Sequence, residues 1–318
     1  MMHKIEKYGE PYAGDSQFVA KCRLLQSIYR EENNLPIRPY KGRDGIIRYY
    51  GNYIDNGENT GANFLADYIF EYARYRVSHK QTYETIETDR LFNNLLSSQP
   101  MAFNLFCPLR KMLHESPEEV TKVIKSALDM YPIHRVTDVD LEFIPSNYKE
   151  LTGDKTAMDA IIRFETNEGK KCFIAIETKY SENLGTNEAS NTDKAIETIK
   201  QLKCFKQDAE MRIKTRQIKL TQIYRNFLLS ERYGLDTNAS SYSLVLSPES
   251  HPSTKKEVLS LVEEMCPEYQ DKILDISLES FVDKLISSSP ERFSLIFRQF
   301  RDRYLDFNKD TTGYLSIK

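Results

Sequence analysis

The 318-residue sequence contains no tryptophan, and its five cysteines (Cys22, Cys107, Cys172, Cys204 and Cys266) are scattered, with no C-x-x-C pair. An odd, dispersed set argues against a disulfide framework or a zinc cage and fits a reducing cytoplasm. Five isolated histidines, with no H-x-H or H-E-x-x-H, argue against a histidine-built metal site. No apolar run approaches the roughly 20 residues that a membrane helix needs, and residues 1–14 lack the apolar stretch of a signal peptide. Net charge is scarce too. At −3, with a pI of about 6.1, the protein does not coat nucleic acid by bulk attraction. There is no internal repeat and no low-complexity linker.

What is present is enough for a folded core: 40% hydrophobic and 11% aromatic residues, with 29% charge to keep the surface wet. That balance excludes a disordered or collagen-like chain. The length suits two domains, or one core with a helical annex. Charge is unevenly spread. Residues 194–232 carry ten Lys and Arg against four Asp and Glu, a net +6, which leaves −9 for the rest of the chain. Such a stripe points either to one defined anionic partner or to the solvated face of two helices.

The periodicity divides the chain into three parts. Residues 1–100 read as a helical region, with apolar spacing at Phe18, Cys22, Leu25 and Tyr29 and again at Phe64, Leu65, Tyr68, Ile69 and Tyr72. Between them, residues 35–59 carry six Pro and Gly, which is loop chemistry. A helix is expected through Leu91, Leu95 and Leu96, then another over 101–113 after Pro100, with Pro108 as a candidate kink. Ser116-Pro117-Glu118-Glu119 is a capping box for a helix to about Met130. In the core, residues 101–248, strands are expected at 136–143, 157–165 and 171–180, with a turn at Asn167-Glu168-Gly169-Lys170. Helices over 192–209 and 214–232 and a strand at 242–246 follow. The remaining part, 249–318, reads as helical, with a second capping box at Thr254-x-x-Glu257, a helix from Ser289-Pro290-Glu291 and a short strand near Ile273 to Ile276. The order implies a mixed α/β core wrapped by helices. The twenty tyrosines and sixteen phenylalanines fall mostly at helical spacing, so they read as core before base-stacking surface.

The residues with chemical potential lie on the second and third strands. Side chains alternate along a strand, so Glu177 and Lys179 point to the face opposite Ile174 and Ile176, and Asp159 lies opposite Ala160 and Ile162. A hairpin would bring Asp159, Glu177 and Lys179 together. Carboxylates and an amine among buried strands are costly unless they bind something. A divalent metal such as Mg²⁺, or Mn²⁺ in its place, would stabilise the pair of acids and take water and phosphate oxygens as its remaining ligands. The lysine would then orient or deprotonate a water, or neutralise charge on a phosphate. An E-x-K triplet alone is common on charged strands, and a surface ion pair at a sheet edge is the competing explanation.

This arrangement, Asp159 followed by Glu177-x-Lys179, resembles the PD-(D/E)xK nuclease superfamily, although Met158 stands where that motif has proline. Further segments resemble a bacterial, restriction-endonuclease-like branch of it: Asn63-Phe64-Leu65, Arg90-Leu91, Asn94 to Pro100, Phe103-Asn104-Leu105-Phe106, Thr156-Ala157-Met158-Asp159, Ile176-Glu177-x-Lys179-Tyr180-x-Glu182, Gln222-x-x-Arg225-Asn226 and Arg303-Tyr304-Leu305-Asp306-Phe307. The resemblance implies a restriction-endonuclease-like fold, α/β (α+β), with a four-stranded mixed sheet flanked by helices and helical additions at either end. It implies Asp159 and Glu177 as metal ligands and Lys179 as the catalytic lysine. Glu142 is the candidate for a further acidic ligand, with Glu115 or Glu119 as alternatives, or else an exposed strand carboxylate. Glu182 reads as an outer partner of the site or a solvated residue. Gln201, Gln222, Arg225 and Asn226 lie on the basic helices, where they would meet nucleic acid or bond one helix to another. Gln99, beside Pro100 at a helix start, would receive an anion or cap the helix against the core. Asn104, inside an apolar helix, is expected to satisfy a buried backbone group.

The resulting expectation is a Mg²⁺- or Mn²⁺-dependent enzyme hydrolysing phosphodiester bonds in DNA. Restriction or phage defence is the role that the resemblance implies, and the helical end regions would shape the channel or form a homodimer. A catalytically inactive nucleic-acid-binding module and an RNA-processing nuclease are the alternatives.

Overall fold

The computed structural model describes residues 7–42, 44–130, 132–182 and 192–309. Its centre is a sheet whose strands lie side by side in chain order: β1 (Arg135–Phe143), β2 (Met158–Glu165), β3 (Lys171–Thr178), β4 (Ser240–Ser247) and β5 (Ile273–Ser277). β1, β2 and β3 are antiparallel, while β4 and β5 run parallel to β3. The resemblance implied four strands. The sheet has five, because the short run from Ile273 pairs in parallel with Ser243 to Ser247. The β2–β3 hairpin turns where expected. Gly169 takes φ +73°, a conformation open to glycine, and Thr166 N–H donates to the Lys170 carbonyl (3.0 Å).

Helices cover both faces. In chain order they are α1 (Gln17–Glu32), α2 (Asp67–Ser78), α3 (Ser98–Glu115), α4 (Pro117–Leu128), α5 (Thr192–Gln201), α6 (Gln222–Thr237), α7 (Thr254–Glu264), α8 (Leu278–Ser288) and α9 (Glu291–Tyr304). One face of the sheet (Leu141, Ala160, Ile162, Ile174, Ile176, Leu244) joins α3, α4, α8 and α9 in a cluster that reaches from Cys22 to Leu305. Val245 and, with Leu229, Ile161, Phe173 and Ala175 face the other side, against α5, α6 and α7. The result is three layers around a central sheet. Ser116 caps α4 with Pro117 at the first helical position, as its sequence predicts, and α3 runs through Pro108. Asn104 bonds the Asn63 carbonyl (3.0 Å) and the Leu65 amide (2.9 Å), so it does satisfy buried backbone.

Three local expectations fail. The helices expected over 192–209 and 214–232 are shorter: α5 ends at Gln201, a single helical turn and a half stands at Ala209–Lys214, and α6 starts only at Gln222. No proline or glycine marks the interruption. Leu202, Cys204, Phe205, Ile218 and Leu220 leave helical spacing because all five are buried in one apolar cluster, with Phe205 bridged to Met265. The helix expected through Leu91, Leu95 and Leu96 stops at Asn93, since Asn94 pairs with Tyr53. The second capping box does not form, because Thr254 is already inside α7 and its hydroxyl meets Nδ1 of His251 (2.8 Å).

Candidate active site

Strand register sets three acids in a row. Leu141 pairs with Ala160 and Phe143 with Met158, which leaves Glu142 opposite Asp159. Ala160 pairs with Ile176, so the next position along sets Asp159 opposite Glu177. Lys179 follows β3 directly, and its amide donates to the Leu246 carbonyl (2.8 Å), which extends the ladder to β4. Glu142, Glu177 and Lys179 are only 3–4% exposed.

Glu142 has a left-handed backbone, φ +51°, within a strand. That conformation costs a non-glycine residue roughly 1–2 kcal/mol, so its neighbours must hold it. Arg76 does so. Its guanidinium bonds the carbonyls of Leu141 and Glu142 and pairs with Asp140 (2.8 Å) and Glu84 (2.9 Å).

Each working side chain has a defined partner. Both the amide and the hydroxyl of Thr178 donate to Asp159 Oδ2 (2.7 Å each). The Lys179 ammonium pairs with Glu177 Oε1 and donates to Gln222 Oε1 (2.8 Å). Asn226 donates from its amide to Glu177 Oε2 and accepts from the Thr156 hydroxyl. Glu182 accepts from the amides of Ser98 (2.8 Å), Tyr180 (2.9 Å) and Ser181 (3.1 Å), so it joins the start of α3 to the end of β3. Gln99 bonds Glu142 and accepts from the Glu87 amide (3.3 Å).

These contacts set the electrostatics. Burial, then the neighbouring Asp159 charge, pushes Glu142 and Glu177 each up to about 8 from an ordinary 4.5. Burial raises Asp159 as well, although Lys179 and Thr178 oppose the shift. Burial works against the charge on Lys179, but Glu177 and Asp159 outweigh it and raise its pKa. Glu182 is also disfavoured by burial, yet Lys179 and the Ser98 amide hold it below the usual range.

A polar cleft of about 380 Å³ opens onto this row. Glu142, Asp159, Lys179 and Glu182 line it, together with Ser98, Gln99, Gln222 and Arg225. Glu177 does not. It borders a small apolar void with Met158 and Asn226 instead. Among the described residues, no three acidic, histidine or cysteine side chains converge as a metal-holding group. Two carboxylates facing a cleft with room for water and phosphate oxygens are still a donor set that Mg²⁺ accepts. The fit lies in the charge: acids pushed toward protonation by burial, and then by one another, are relieved by a hard cation.

Of the remaining sequence candidates, Gln201 is exposed at the broken end of α5 and does not line the cleft. Glu115 pairs with Lys111 and Arg292, and neither it nor Glu119 lines the cleft. Arg225 lines the cleft but sits against Asp154 (3.4 Å). Four other cations of the basic stretch are also taken by carboxylates: Lys194, Lys200, Arg212 and Lys214. Thr85, Arg90, Asp154, Lys155 and Thr156 line the cleft without having been singled out for it. Arg90 and Thr156 stood in noted motifs, and nothing local distinguishes the others.

A family model described as the PD-(D/E)XK nuclease superfamily matches residues 13–306. No curated protein and no solved structure matches the chain.

Proposed function

The chain belongs to the PD-(D/E)XK nuclease superfamily, and from that premise we propose that it hydrolyses phosphodiester bonds in DNA with Mg²⁺ or Mn²⁺. The observation that carries this reading is the row Glu142–Asp159–Glu177, of which Glu142 and Asp159, with Lys179, line a polar cleft. Asp159 and Glu142 would hold the cation from the cleft side, with Glu177 completing the acidic set. A bound cation polarises the scissile phosphate and lowers the pKa of an attacking water.

The protein's own groups supply the rest. Lys179, kept cationic by Glu177 and Asp159, is suited to neutralising charge on the phosphate and to orienting a water by donation; it is a poor general base. Gln222 fixes its ammonium, and Asn226 fixes Glu177. Thr178 keeps Asp159 turned along the row. A role in restriction or phage defence, in a reducing cytoplasm, goes with this reading. The five free cysteines support the compartment.

The test is incubation with Mg²⁺ or Mn²⁺ and plasmid, linear duplex, single-stranded DNA or RNA, with Asp159→Ala and Lys179→Ala alongside. DNA cleavage lost in both variants is expected. Cleavage that survives both changes ends the proposed mechanism. Preference for RNA moves the assignment to RNA processing, and binding without cleavage in either metal leaves an inactive scaffold.

A further inference from the structure

Four cationic side chains line the cleft, and they divide into two kinds. Lys179 is taken by Glu177 and Gln222, and Arg225 by Asp154. Arg90 and Lys155 are exposed and have no hydrogen-bond or ion-pair partner among the described residues. They come from separate segments of the chain. Arg90 belongs to the short helix Thr88–Asn93, and Lys155 stands on the loop that leads into β2 and Asp159.

We infer that Arg90 and Lys155 hold backbone phosphates of the substrate on either side of the bond that the acids address. The inference rests on the nuclease reading and names its binding contacts. The cleft is lined by the carboxyl groups of Glu142, Asp159 and Glu182, so a polyanion gains from the protein there only where positive charge is not already neutralised by an internal partner. Of the ten cations in the basic stretch 194–232, only Arg225 lines the cleft, and it is paired. Arg90 and Lys155 meet the requirement. Their charges are available in water, so a phosphate can replace their counterions without breaking an internal bond.

The experiment uses the full chain. Equilibrium binding of labelled duplex DNA is measured from low to moderate salt for the Asp159→Asn protein, alone and with Arg90→Ala or Lys155→Ala. KM and kcat are measured in Mg²⁺ with the acids intact. Each alanine is expected to weaken binding at every sequence, raise KM more than it lowers kcat, and flatten the slope of log K against log salt by about 0.9. Arg90→Lys should restore most of that slope, because a phosphate contact needs the charge more than the fork. Unchanged slope and KM in both alanine variants overturns the inference while leaving the nuclease reading in place. A wild type that binds through these residues but never cuts overturns the nuclease reading alone. Neither binding nor cutting overturns both.

Discussion

Asn226 donates its side-chain amide to the Glu177 carboxylate, one helical turn after Gln222 accepts from Lys179 on the same face of α6. The spacings match. Four helical residues advance about 6 Å and two strand residues about 6.6 Å. A helix packed along β3 can therefore present amides at i and i+4 to side chains at i and i+2.

Replacing Asn226 by alanine should leave Glu177 free to turn and Thr156 without its acceptor. Loss of such a supporting contact commonly costs about 10–100-fold in metal affinity or activity. Isothermal titration with Mn²⁺ and cleavage rates should both fall in that range, with Asn226→Asp no better because it sets a second carboxylate against Glu177.

The acid row predicts an unusual pH response. Glu142 rises from 4.5 to about 8 on folding, so between those values the native state binds more protons than the unfolded chain. Its contribution to stability is complete below pH 4.5 and is lost as pH rises toward 8. Glu142→Gln should accordingly gain on the wild type with rising pH, at up to about 1.4 kcal/mol per unit, in urea titrations from pH 5 to 8.5. A difference that stays flat across that range removes the proposed upward shift of Glu142.

Added Mg²⁺ should reverse that loss. It favours the charged carboxylates, so the midpoint of thermal unfolding should rise more at pH 8 than at pH 6, and binding should release protons into weak buffer. Chelation should return both to the metal-free values, and Asp159→Asn should abolish the effect.

Glu182 runs the other way. Its carboxyl is held below 4.5, so the stability it contributes is present above pH 4.5 and disappears as pH falls through its folded value. Glu182→Ala should destabilise by about 0.5–2 kcal/mol at pH 7, the usual range for a lost helix cap, and by much less at pH 3, read by chemical denaturation.

Arg303 is buried, at 1% exposed, between the rings of Tyr29 and Tyr304. It donates to Gln26 Oε1 (3.1 Å) and to the Asn63 carbonyl (2.8 Å) and side chain (2.5 Å). Arg303→Met should cost about 3 kcal/mol or more in urea unfolding, since bonds to a charged donor are worth roughly 1.5–3 kcal/mol each. Arg303→Lys should recover little, because an ammonium cannot make the planar set of contacts.

Much of this was legible from local patterns. Alternation along Ala160 to Ile162 and Ile174 to Ile176 fixed both strands and the face that carries Asp159 and Glu177; the same parity did not hold at Glu142, whose left-handed backbone sends Leu141 and Phe143 into different apolar clusters. The ends of the basic helices were not legible, because Phe205 and Leu220 are drawn out of helical spacing by burial against Met265 and its neighbours, which local propensity does not encode. Glu182 was ambiguous for a similar reason: its amide partner, Ser98, is 84 residues away. The positions of Arg90 and Lys155 depend on loops meeting across the cleft, and no spacing rule reaches that far.

The bond between Gln26 and Arg303 spans 277 residues, and Gln26 also donates to the Tyr180 hydroxyl (3.0 Å), next to the lysine. The side chain that props Tyr180 is thus itself held from behind by α9, through Arg303. Loosening α9 would therefore be felt at the residue beside Lys179 without any change in the lining of the cleft itself.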